Sequence, residues 1–198
     1  MPEPLLIGSA NRGKARELAE LIEGLPWEVR HLGDYDPIEE PEETEATFEG
    51  NALLKARYYC DRLKVACVAD DSGLLVDALD GAPGVYSARY AGPECDPVKN
   101  NAKLLQALET FPWHERTARF VCCAVFLRPG GEPFIATGTV EGHIAMDCFG
   151  DKGFGYDPVF VPQGYDRSFA EMDPAEKHTL SHRGKAFAQI RAYLESLG

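Results

Sequence analysis

A chain of 198 residues with 44% hydrophobic and 26% charged residues has the composition of a globular protein, which excludes disordered and fibrous classes. The formal net charge of −12 argues against sequence-independent binding to nucleic acid, because such binding neutralises phosphates with Lys and Arg. No apolar run reaches the roughly 20 residues that cross a bilayer, so we expect no membrane partner.

The first predicted elements are a strand and a helix. Leu5–Gly8 is a short apolar run closed by glycine, and Ser9-Ala-Asn11 suits a turn or a helix cap. Apolar residues then recur at helical spacing at Ala15, Leu18, Ile22 and Leu25. Gly24 and Pro26 end this pattern.

A second helix and a second strand follow an acidic stretch that runs from Glu39 to Glu49. Phe48, Ala52, Ala56, Tyr59 and Leu63 fall on one helical face. The apolar run Val65–Ala69 predicts a buried strand that ends at Asp70-Asp71. This pattern places two carboxylates at a strand end.

The second half of the chain predicts three more helices and a hairpin. Asp96-Pro97 starts a helix that runs to about Glu109, and Asp173-Pro-Ala-Glu176 starts a short one. Phe120–Leu127 and Phe134–Val140 are apolar runs separated by Pro129-Gly-Gly131, which predicts two paired strands. The last helix is predicted from the following apolar positions, with Ser181 as its cap: Phe187, Ile190, Leu194 and Leu197.

These elements predict an α/β fold on a mixed sheet, in a single domain spanning residues 1–198. Met1-Pro-Glu-Pro lacks the basic start of a signal peptide, so we expect a cytoplasmic protein. The six cysteines include no Cys-x-x-Cys pair, and we expect them to be reduced, mostly buried thiols.

The segment from Ser9 to Lys14 is the first candidate for chemistry, since it joins a strand to a helix. Unpaired amides and the helix dipole favour an anion there, and phosphate is the natural one. Lys14 adds a mobile positive charge, and the spacing is not that of a P-loop. A plain helix cap is the alternative.

Asp70 and Asp71 form the second candidate, because adjacent acids are costly to hold together without a cation or a proton between them. Mg²⁺ prefers such hard oxygen ligands and completes its shell with waters and substrate phosphates. Two alternatives stay open: Asp70 caps a turn while only Asp71 reaches the site, or both belong to a structural turn before Gly73. The acidic stretch Glu39–Glu49 is a solvated loop unless it folds beside Asp71.

Two later segments could bind a base. Gly150–Pro158 has glycines that permit close backbone approach and aromatic rings, Phe154 and Tyr156, on which a base could stack. Lys177 and Ser181-His-Arg-Gly184 form a basic cluster whose guanidinium could grip carbonyl or phosphate oxygens. The alternatives are a tight structural loop and an exposed basic helix face.

Five motifs follow one another along the chain: Ser9-x-Asn11-x-x-Lys14, Ala69-Asp-Asp-Ser-Gly-Leu74, Pro83-Gly-Val-Tyr-Ser-Ala-Arg-Tyr90, Gly153-Phe-Gly-Tyr-Asp-Pro158 and Ser181-His-Arg-Gly184. In these motifs and their order, the chain resembles the inosine triphosphate pyrophosphatase family, also called XTP/dITP diphosphatases, from about Leu5 to the last helix. The resemblance implies an elongated mixed α/β fold with a central nucleotide cleft, and a homodimer. It also implies Mg²⁺-dependent hydrolysis of ITP, dITP and XTP to the monophosphate and pyrophosphate, which removes deaminated purines from the nucleotide pool.

The resemblance also assigns roles to individual residues. Glu42 and Asp71 would hold Mg²⁺, and Asp71 would be the proton acceptor; the neighbouring glutamates leave the choice of Glu42 uncertain by one residue. His182 and Arg183 would read the 6-oxo group of the purine. The remaining contacts to the substrate would come from Ser9, Ala10, Asn11, Arg12, Gly13, Lys14, Lys55, Ser72, Phe154, Gly155, Tyr156, Asp157 and Lys177.

Two other functions compete with this interpretation. A regulatory module would bind the nucleotide without turnover, but binding alone does not need a base at Asp71. A phosphatase with an aspartate as phosphoryl acceptor would release orthophosphate, whereas a pyrophosphatase releases pyrophosphate.

Overall fold

The computed structural model describes residues 2–197, which form one six-stranded mixed sheet with helices. The strand order is β2-β1-β3-β4-β5-β6. β1 is parallel to β2 and to β3, and β6 is antiparallel to β5. The strands are β1 (Glu3–Ile7), β2 (Trp27–His31), β3 (Ala66–Val76), β4 (Thr117–Leu127), β5 (Phe134–Ile144) and β6 (Phe160–Pro162).

Each of the first three helices begins at a side-chain cap. Asn11, Thr47 and Asp96 accept hydrogen bonds from backbone N–H groups of the first turns, which are otherwise unpaired. The helices are α1 (Arg12–Leu21), α2 (Phe48–Leu63), α3 (Pro97–Ala107), α4 (Pro174–Leu180) and α5 (His182–Ser196). Short 3₁₀ turns lie at Leu32–Asp34, Asp77–Leu79, Gly84–Arg89, Trp113–Glu115 and Phe169–Glu171. No helix within residues 2–197 has the length and apolar character to cross a membrane.

The chain divides into two compact units. The first comprises the chain up to Asp71, Cys122–Gly138 and the chain from Arg183 onward. The second comprises Ser72–Val121 and Thr139–His182. The single-domain organisation expected from the chain length stays a prediction.

The first unit has three layers, and the alternation of side chains along β3 assigns residues to its two faces. Ala66 and Val68 pack in a buried cluster with α1 and α5. Cys67 and Ala69 pack in a separate cluster with α2. The period of two therefore directs Asp70 towards α1 and α5, and Asp71 towards α2.

The second unit has its own apolar core, which packs α3 against residues of the long strands. Leu104 and Leu108 meet Leu74 and Val76, and Phe120 packs between Phe160 and Phe169 with ring centroids 4.6 and 6.2 Å away. Arg116 is buried in this unit, where it donates hydrogen bonds to the carbonyls of Leu108, Phe111 and Ala145.

The structure confirms the mixed α/β fold, but it moves several predicted boundaries: β4 begins at Thr117, β5 continues to Ile144 and α1 ends at Leu21. β3 does not end at Ala69; it continues through Asp70 and Asp71 to Val76, so the two carboxylates lie within a strand. The sequence pattern misplaced the end of β3 because Asp and Gly are depleted in strands, while β3 continues beside its neighbour β4 past the residues that pair with β1. The short edge strands β2 and β6 gave no sequence signal that we recognised.

The predicted helix at Phe48–Leu63 is confirmed, and α3 and α4 begin where predicted. β4 and β5 are neighbours joined by six residues, too few for a crossover, so the predicted hairpin is confirmed. Asp173 precedes α4 without a side-chain capping bond; its carboxylate contacts Lys152 instead. Four of the cysteines are buried, as expected, and Cys95 and Cys148 are exposed.

Candidate active site

Asp71 is a buried carboxylate held by two side chains of α2. Asn51 donates from Nδ2 to Oδ2 of Asp71 at 3.2 Å, and the ammonium of Lys55 lies 3.4 Å from Oδ1. Lys55 also donates to Oε1 of Glu43 at 2.8 Å. Asn51 and Lys55 lie four residues apart, which places both on the same face of the helix.

The electrostatics of this group favour a carboxylate that can accept a proton. Burial raises the pKa of Asp71 above its ordinary value, although the nearby Lys55 and Lys14 oppose that shift. Burial alone would lower the pKa of Lys55, but the carboxylates of Asp71, Asp70 and Glu43 outweigh it and raise the pKa. Lys55 therefore stays charged beside a weakened acid, which suits general-base chemistry.

Asp70, the preceding residue, binds a different set of partners on the other face of the sheet. The ammonium of Lys14 lies 3.0 Å from Oδ2 of Asp70, and Nε of Arg183 lies 3.6 Å from the same oxygen. Sγ of Cys122 lies 3.7 Å away. Burial lowers the pKa of Lys14, against the opposing charge of Asp70. Each of the adjacent acids thus has its own lysine.

The start of α1 keeps the character expected of an anion site. Asn11 caps the helix by accepting from the backbone N–H of Lys14 at 3.1 Å, and no acidic residue lies in the first turn. Ala10, Asn11, Arg12 and Gly13 are exposed, and Ser9 is half-buried. The capping function and phosphate binding by this loop are compatible, since capping uses only one of the amides. Phosphate binding there stays a prediction.

In the second unit, Asp157 and Lys177 form a buried ion pair of 2.9 Å. Oδ2 of Asp157 also accepts from the backbone N–H of Phe154 at 2.8 Å, which folds Gly153–Asp157 into a tight loop. The ammonium of Lys177 lies 4.9 Å from the centroid of the Phe154 ring.

Two further contacts hold this loop. Tyr156 is buried and donates its hydroxyl to the carbonyl of Ser87 at 2.8 Å. Asn101 of α3 donates to the carbonyl of Gly155 at 3.0 Å. The segment is therefore a tight, anchored loop, as the alternative interpretation of Gly150–Pro158 proposed. The same contacts also fix the position of the Phe154 ring.

The basic cluster is not an exposed helix face, so that alternative is wrong. Lys177, His182 and Arg183 are all buried. In the second unit the imidazole of His182 stacks on Phe120, with centroids 4.6 Å apart and planes at 9°. In the first unit Nη1 of Arg183 donates to Oε2 of Glu17 at 3.2 Å.

The acidic stretch reaches Asp71 through one glutamate. Glu43 is half-buried and bound to Lys55, whereas Glu42, one residue earlier, is exposed. Ser72 follows Asp71 in β3 and is half-buried. The assignment of Glu42 to the metal stays a prediction, and the structure connects Glu43 to Asp71 through Lys55.

Sequence reasoning missed several residues of these networks, among them Glu17, Asn51 and Asn101, whereas Glu43 belongs to the acidic stretch that the sequence had singled out. A signal existed for Glu17, because it is a charged residue between Ala15 and Leu18 on the buried face of α1. The sequence signal for Asn51 was weaker: it lies one helical turn before Lys55 in the same helix.

The donor set around Asp71 fits a hard divalent cation that is shared with a ligand. Across residues 2–197, no three His, Cys, Asp or Glu side chains are arranged to hold a metal ion by themselves. One or two carboxylates are the usual protein contribution to Mg²⁺, whose other ligands are waters and phosphates. The ammonium of Lys55 already lies between the carboxylates of Asp71 and Glu43, which shows that this position stabilises positive charge.

Comparison with known proteins places the chain in a family. The family model described as Ham1 family matches residues 5–193. The dITP/XTP pyrophosphatase of Oceanobacillus iheyensis is 44% identical over 98% of both chains, and that of Rhodospirillum centenum is 48% identical over 96% of this chain and 94% of its own. The Ham1 protein structure from Coxiella burnetii superposes with a TM-score of 0.89 at 37% identity, covering 99% of this chain and 100% of its own. The chain belongs to the Ham1 family, and the resemblance drawn from its five motifs is confirmed.

Proposed function

We propose that this protein hydrolyses the non-standard purine nucleoside triphosphates ITP, dITP and XTP to the nucleoside monophosphate and pyrophosphate. The relatives named dITP/XTP pyrophosphatase support this, since they are 44% and 48% identical over nearly the whole chain. The observation that carries the chemistry is the buried Asp71 carboxylate, with Asn51 on one oxygen and Lys55 on the other. Such hydrolysis clears deaminated purines from the nucleotide pool.

Asp71 is the proposed general base. Water attacks phosphorus, the bond between the α- and β-phosphates breaks, and the proton of the water passes to the carboxylate of Asp71. Burial raises the pKa of this carboxylate, which makes it a better proton acceptor than an exposed aspartate. Lys55 and Asn51 fix its orientation.

The phosphates are proposed to bind at the start of α1. Residues 10–13 are exposed at the start of the helix, where backbone amides and the helix dipole favour an anion, and no acid in the first turn opposes it. Lys14 in the first turn of α1 and Lys55 in the middle of α2 supply positive charge, and Ser9 and Ser72 supply hydroxyl groups. These local cations are needed because the net charge of the chain is −12.

Magnesium is the proposed cofactor, held by Asp71 and by Glu42 of the acidic loop. Bound Mg²⁺ supplies charge neutralisation on the phosphate oxygens. Because Glu43 contacts Lys55 while Glu42 is exposed, Glu42→Gln and Glu43→Gln test the assignment separately. The larger rise in the Mg²⁺ concentration needed for half-maximal activity identifies the glutamate that binds the metal.

Residues of the second unit are proposed to bind the base. The ring of Phe154 offers a stacking face, and the ion pair of Lys177 with Asp157 holds the loop that carries it. Gly155 and Tyr156 belong to the same loop. The family resemblance gives His182 and Arg183 the role of donating hydrogen bonds to the 6-oxo group of the purine. A 6-amino group could not accept those hydrogen bonds.

Assembly as a homodimer and a cytoplasmic location complete the proposal. The homodimer comes from the family resemblance, and light scattering on the purified protein tests it. Exposed thiols such as Cys95 and Cys148 persist in a reducing compartment, which supports the location.

One assay tests the proposed function. Purified protein is incubated with ITP, XTP, ATP and GTP, with and without Mg²⁺, and pyrophosphate and orthophosphate are measured separately. Asp71→Asn, which keeps the shape of the side chain, is assayed in parallel. We expect metal-dependent pyrophosphate release from ITP and XTP, little from ATP, and loss of release in the variant.

The two rival functions give different products. Orthophosphate release or a trapped phospho-enzyme would indicate an aspartyl phosphatase. Tight binding of ITP without any product would indicate a regulatory module. Either result overturns the proposed function.

A further inference from the structure

Helix α1 directs two opposite charges into the protein, one turn apart. Lys14 and Glu17 are separated by three residues, so both point from the same side of the helix. Glu17 is only 6% exposed, although it carries a carboxylate and lies between the buried residues Ala15 and Leu18. Glutamate is almost never buried to this extent unless it is paired.

The partner of Glu17 is Arg183, at the start of α5. Nη1 of Arg183 donates to Oε2 of Glu17 at 3.2 Å, and Nε of the same guanidinium lies 3.6 Å from Oδ2 of Asp70. Two carboxylates on two different elements, α1 and β3, therefore contact separate nitrogens of one planar group. A hydrogen bond to Nη1 and an ion pair on the Nε side favour one orientation of the planar guanidinium more than either contact alone.

The contacts form a chain of alternating charge: Lys14, Asp70, Arg183 and Glu17. Two ammonium or guanidinium groups are balanced by two carboxylates, so the buried cluster is close to neutral. Buried ion pairs are weak contributors to stability, because desolvation offsets most of their attraction. An apolar residue at position 17 could fill the same space between α1 and α5, so the stability of the fold does not account for the charge.

We propose that Glu17 is a positioning residue that orients Arg183 for recognition of the 6-oxo purine. The inference rests on the proposed function, since it gives Glu17 a role in the selectivity that Arg183 is proposed to supply. Nη1 of Arg183 donates to Glu17, and the ion pair with Asp70 lies on the Nε side, so the two carboxylates together favour one orientation of the guanidinium. The selectivity between a 6-oxo and a 6-amino purine then depends on a residue that does not itself contact the base.

The test compares kcat/KM for ITP with kcat/KM for ATP in four proteins: the wild type, Glu17→Gln, Arg183→Lys and the double variant. Glu17→Gln keeps the shape of the side chain and removes its charge. Glu20→Gln is the matched control, because Glu20 lies three residues further along α1, is exposed and pairs with Arg16. Thermal unfolding midpoints are measured for every variant, and the assays are run well below the lowest one.

We expect Glu17→Gln to reduce the ITP-to-ATP ratio of kcat/KM by about tenfold, the scale of one misplaced polar contact to a substrate. Glu20→Gln should leave the ratio unchanged. The double variant should have the ratio of Arg183→Lys alone, because the two residues act on one group. If Glu17→Gln does not fold, Glu17→Asp carries the test, since it keeps the charge and shortens the side chain; a partial loss of the ratio is then expected.

Two results overturn the inference while leaving the proposed function intact. One is a Glu17→Gln variant that unfolds at lower temperature but keeps the wild-type ratio, which would make Glu17 purely structural. The other is a double variant in which the two losses multiply, which would make the residues independent. A wild-type protein that releases no pyrophosphate from ITP would overturn the proposed function and this inference together.

Discussion

The ammonium group of Lys55 lies 3.4 Å from Oδ1 of Asp71, and it is the same group that binds Glu43 at 2.8 Å. One cation thereby connects helix α2, strand β3 and the acidic loop. Lys55 thus keeps two carboxylates close together that would otherwise repel each other.

Replacing Lys55 should lower the catalytic efficiency of the protein. Lys55→Met removes the charge beside Asp71 and leaves the carboxylates of Asp71 and Glu43 without their shared cation. We expect kcat/KM for ITP to fall by about a hundredfold, within the range for loss of a charged contact in a catalytic site. Arg57→Met is the matched control, because Arg57 is exposed on the same helix. Comparable losses in the two variants would contradict the role given to Lys55.

Asn51 should also be needed to orient the carboxylate of Asp71. Its Nδ2 donates to Asp71 at 3.2 Å, and its Oδ1 accepts from the backbone N–H of Glu45 at 3.0 Å. Asn51→Leu has a similar volume but makes neither bond, so we expect destabilisation of about 2 kcal/mol and a lower kcat. Urea unfolding and steady-state kinetics measure the two effects. Wild-type kcat in a folded variant would show that Asp71 does not need this donor.

Gly153 should tolerate no side chain. Its φ is +73°, and an added Cβ would lie 2.1 Å from Oδ2 of Asp157, the atom that binds Lys177. Gly164 has φ +86° with open space around an added Cβ, so Gly164→Ala measures the backbone strain alone, about 1 kcal/mol. We expect Gly153→Ala to lose at least twice as much free energy of unfolding. Equal losses would mean that the loop adjusts to the extra carbon.

When the folded protein is alkylated at pH 8, the exposed cysteines should react and the buried cysteines should not. Burial raises the pKa of Cys123 to about 11 and raises that of Cys67 as well, so neither forms the reactive thiolate. Cys95 and Cys148 are exposed and should react; burial and Asp147 raise the pKa of Cys148, which should slow its reaction. Mass spectrometry of the native and urea-unfolded protein checks this. Rapid labelling of Cys123 in the native protein would contradict the assigned burial.

The pKa of Cys123 also sets a pH window for stability. In the unfolded chain the thiol ionises near its ordinary value of 9.0, whereas in the fold it stays protonated up to about 11. Its contribution to stability is therefore fully present below pH 9 and is lost as the pH rises towards 11. Cys123→Ala should show a smaller loss of unfolding free energy over that interval, measured by urea unfolding at each pH.

Much of the fold could be predicted from the sequence, because its signals are local. The cap at Asn11 and the apolar periodicity from Phe48 to Leu63 marked α1 and α2. The edge strand β6 could not be found this way, since three residues carry too little periodicity. The end of β3 was misplaced because pairing with its neighbour β4 overrides the weak strand preference of Asp and Gly.

The sequence named candidate site residues, but it did not indicate which side chains they contact, and their roles stay predictions. The motifs singled out Lys14, Asp71 and Arg183, yet the sequence did not indicate which carboxylate each cation meets. Arg183 and Glu17 lie 166 residues apart in the chain, and no local pattern connects them. Such pairs are decided by the packing of α1 and α5 against one sheet, which is tertiary information.

Asp70 and Asp71 lie on opposite faces of β3, because successive residues of a strand face opposite sides of the sheet. The partners of each carboxylate therefore depend on whether its position in the strand is odd or even. One extra residue inserted after Ala66 would exchange the two carboxylates, presenting the first to α2 and the second to α1 and α5. Two extra residues would restore the original sides. Two extra residues would still move both carboxylates by about 7 Å along the strand, away from Lys14 and Lys55, so both the face and the position of the acids depend on their distance from the start of β3.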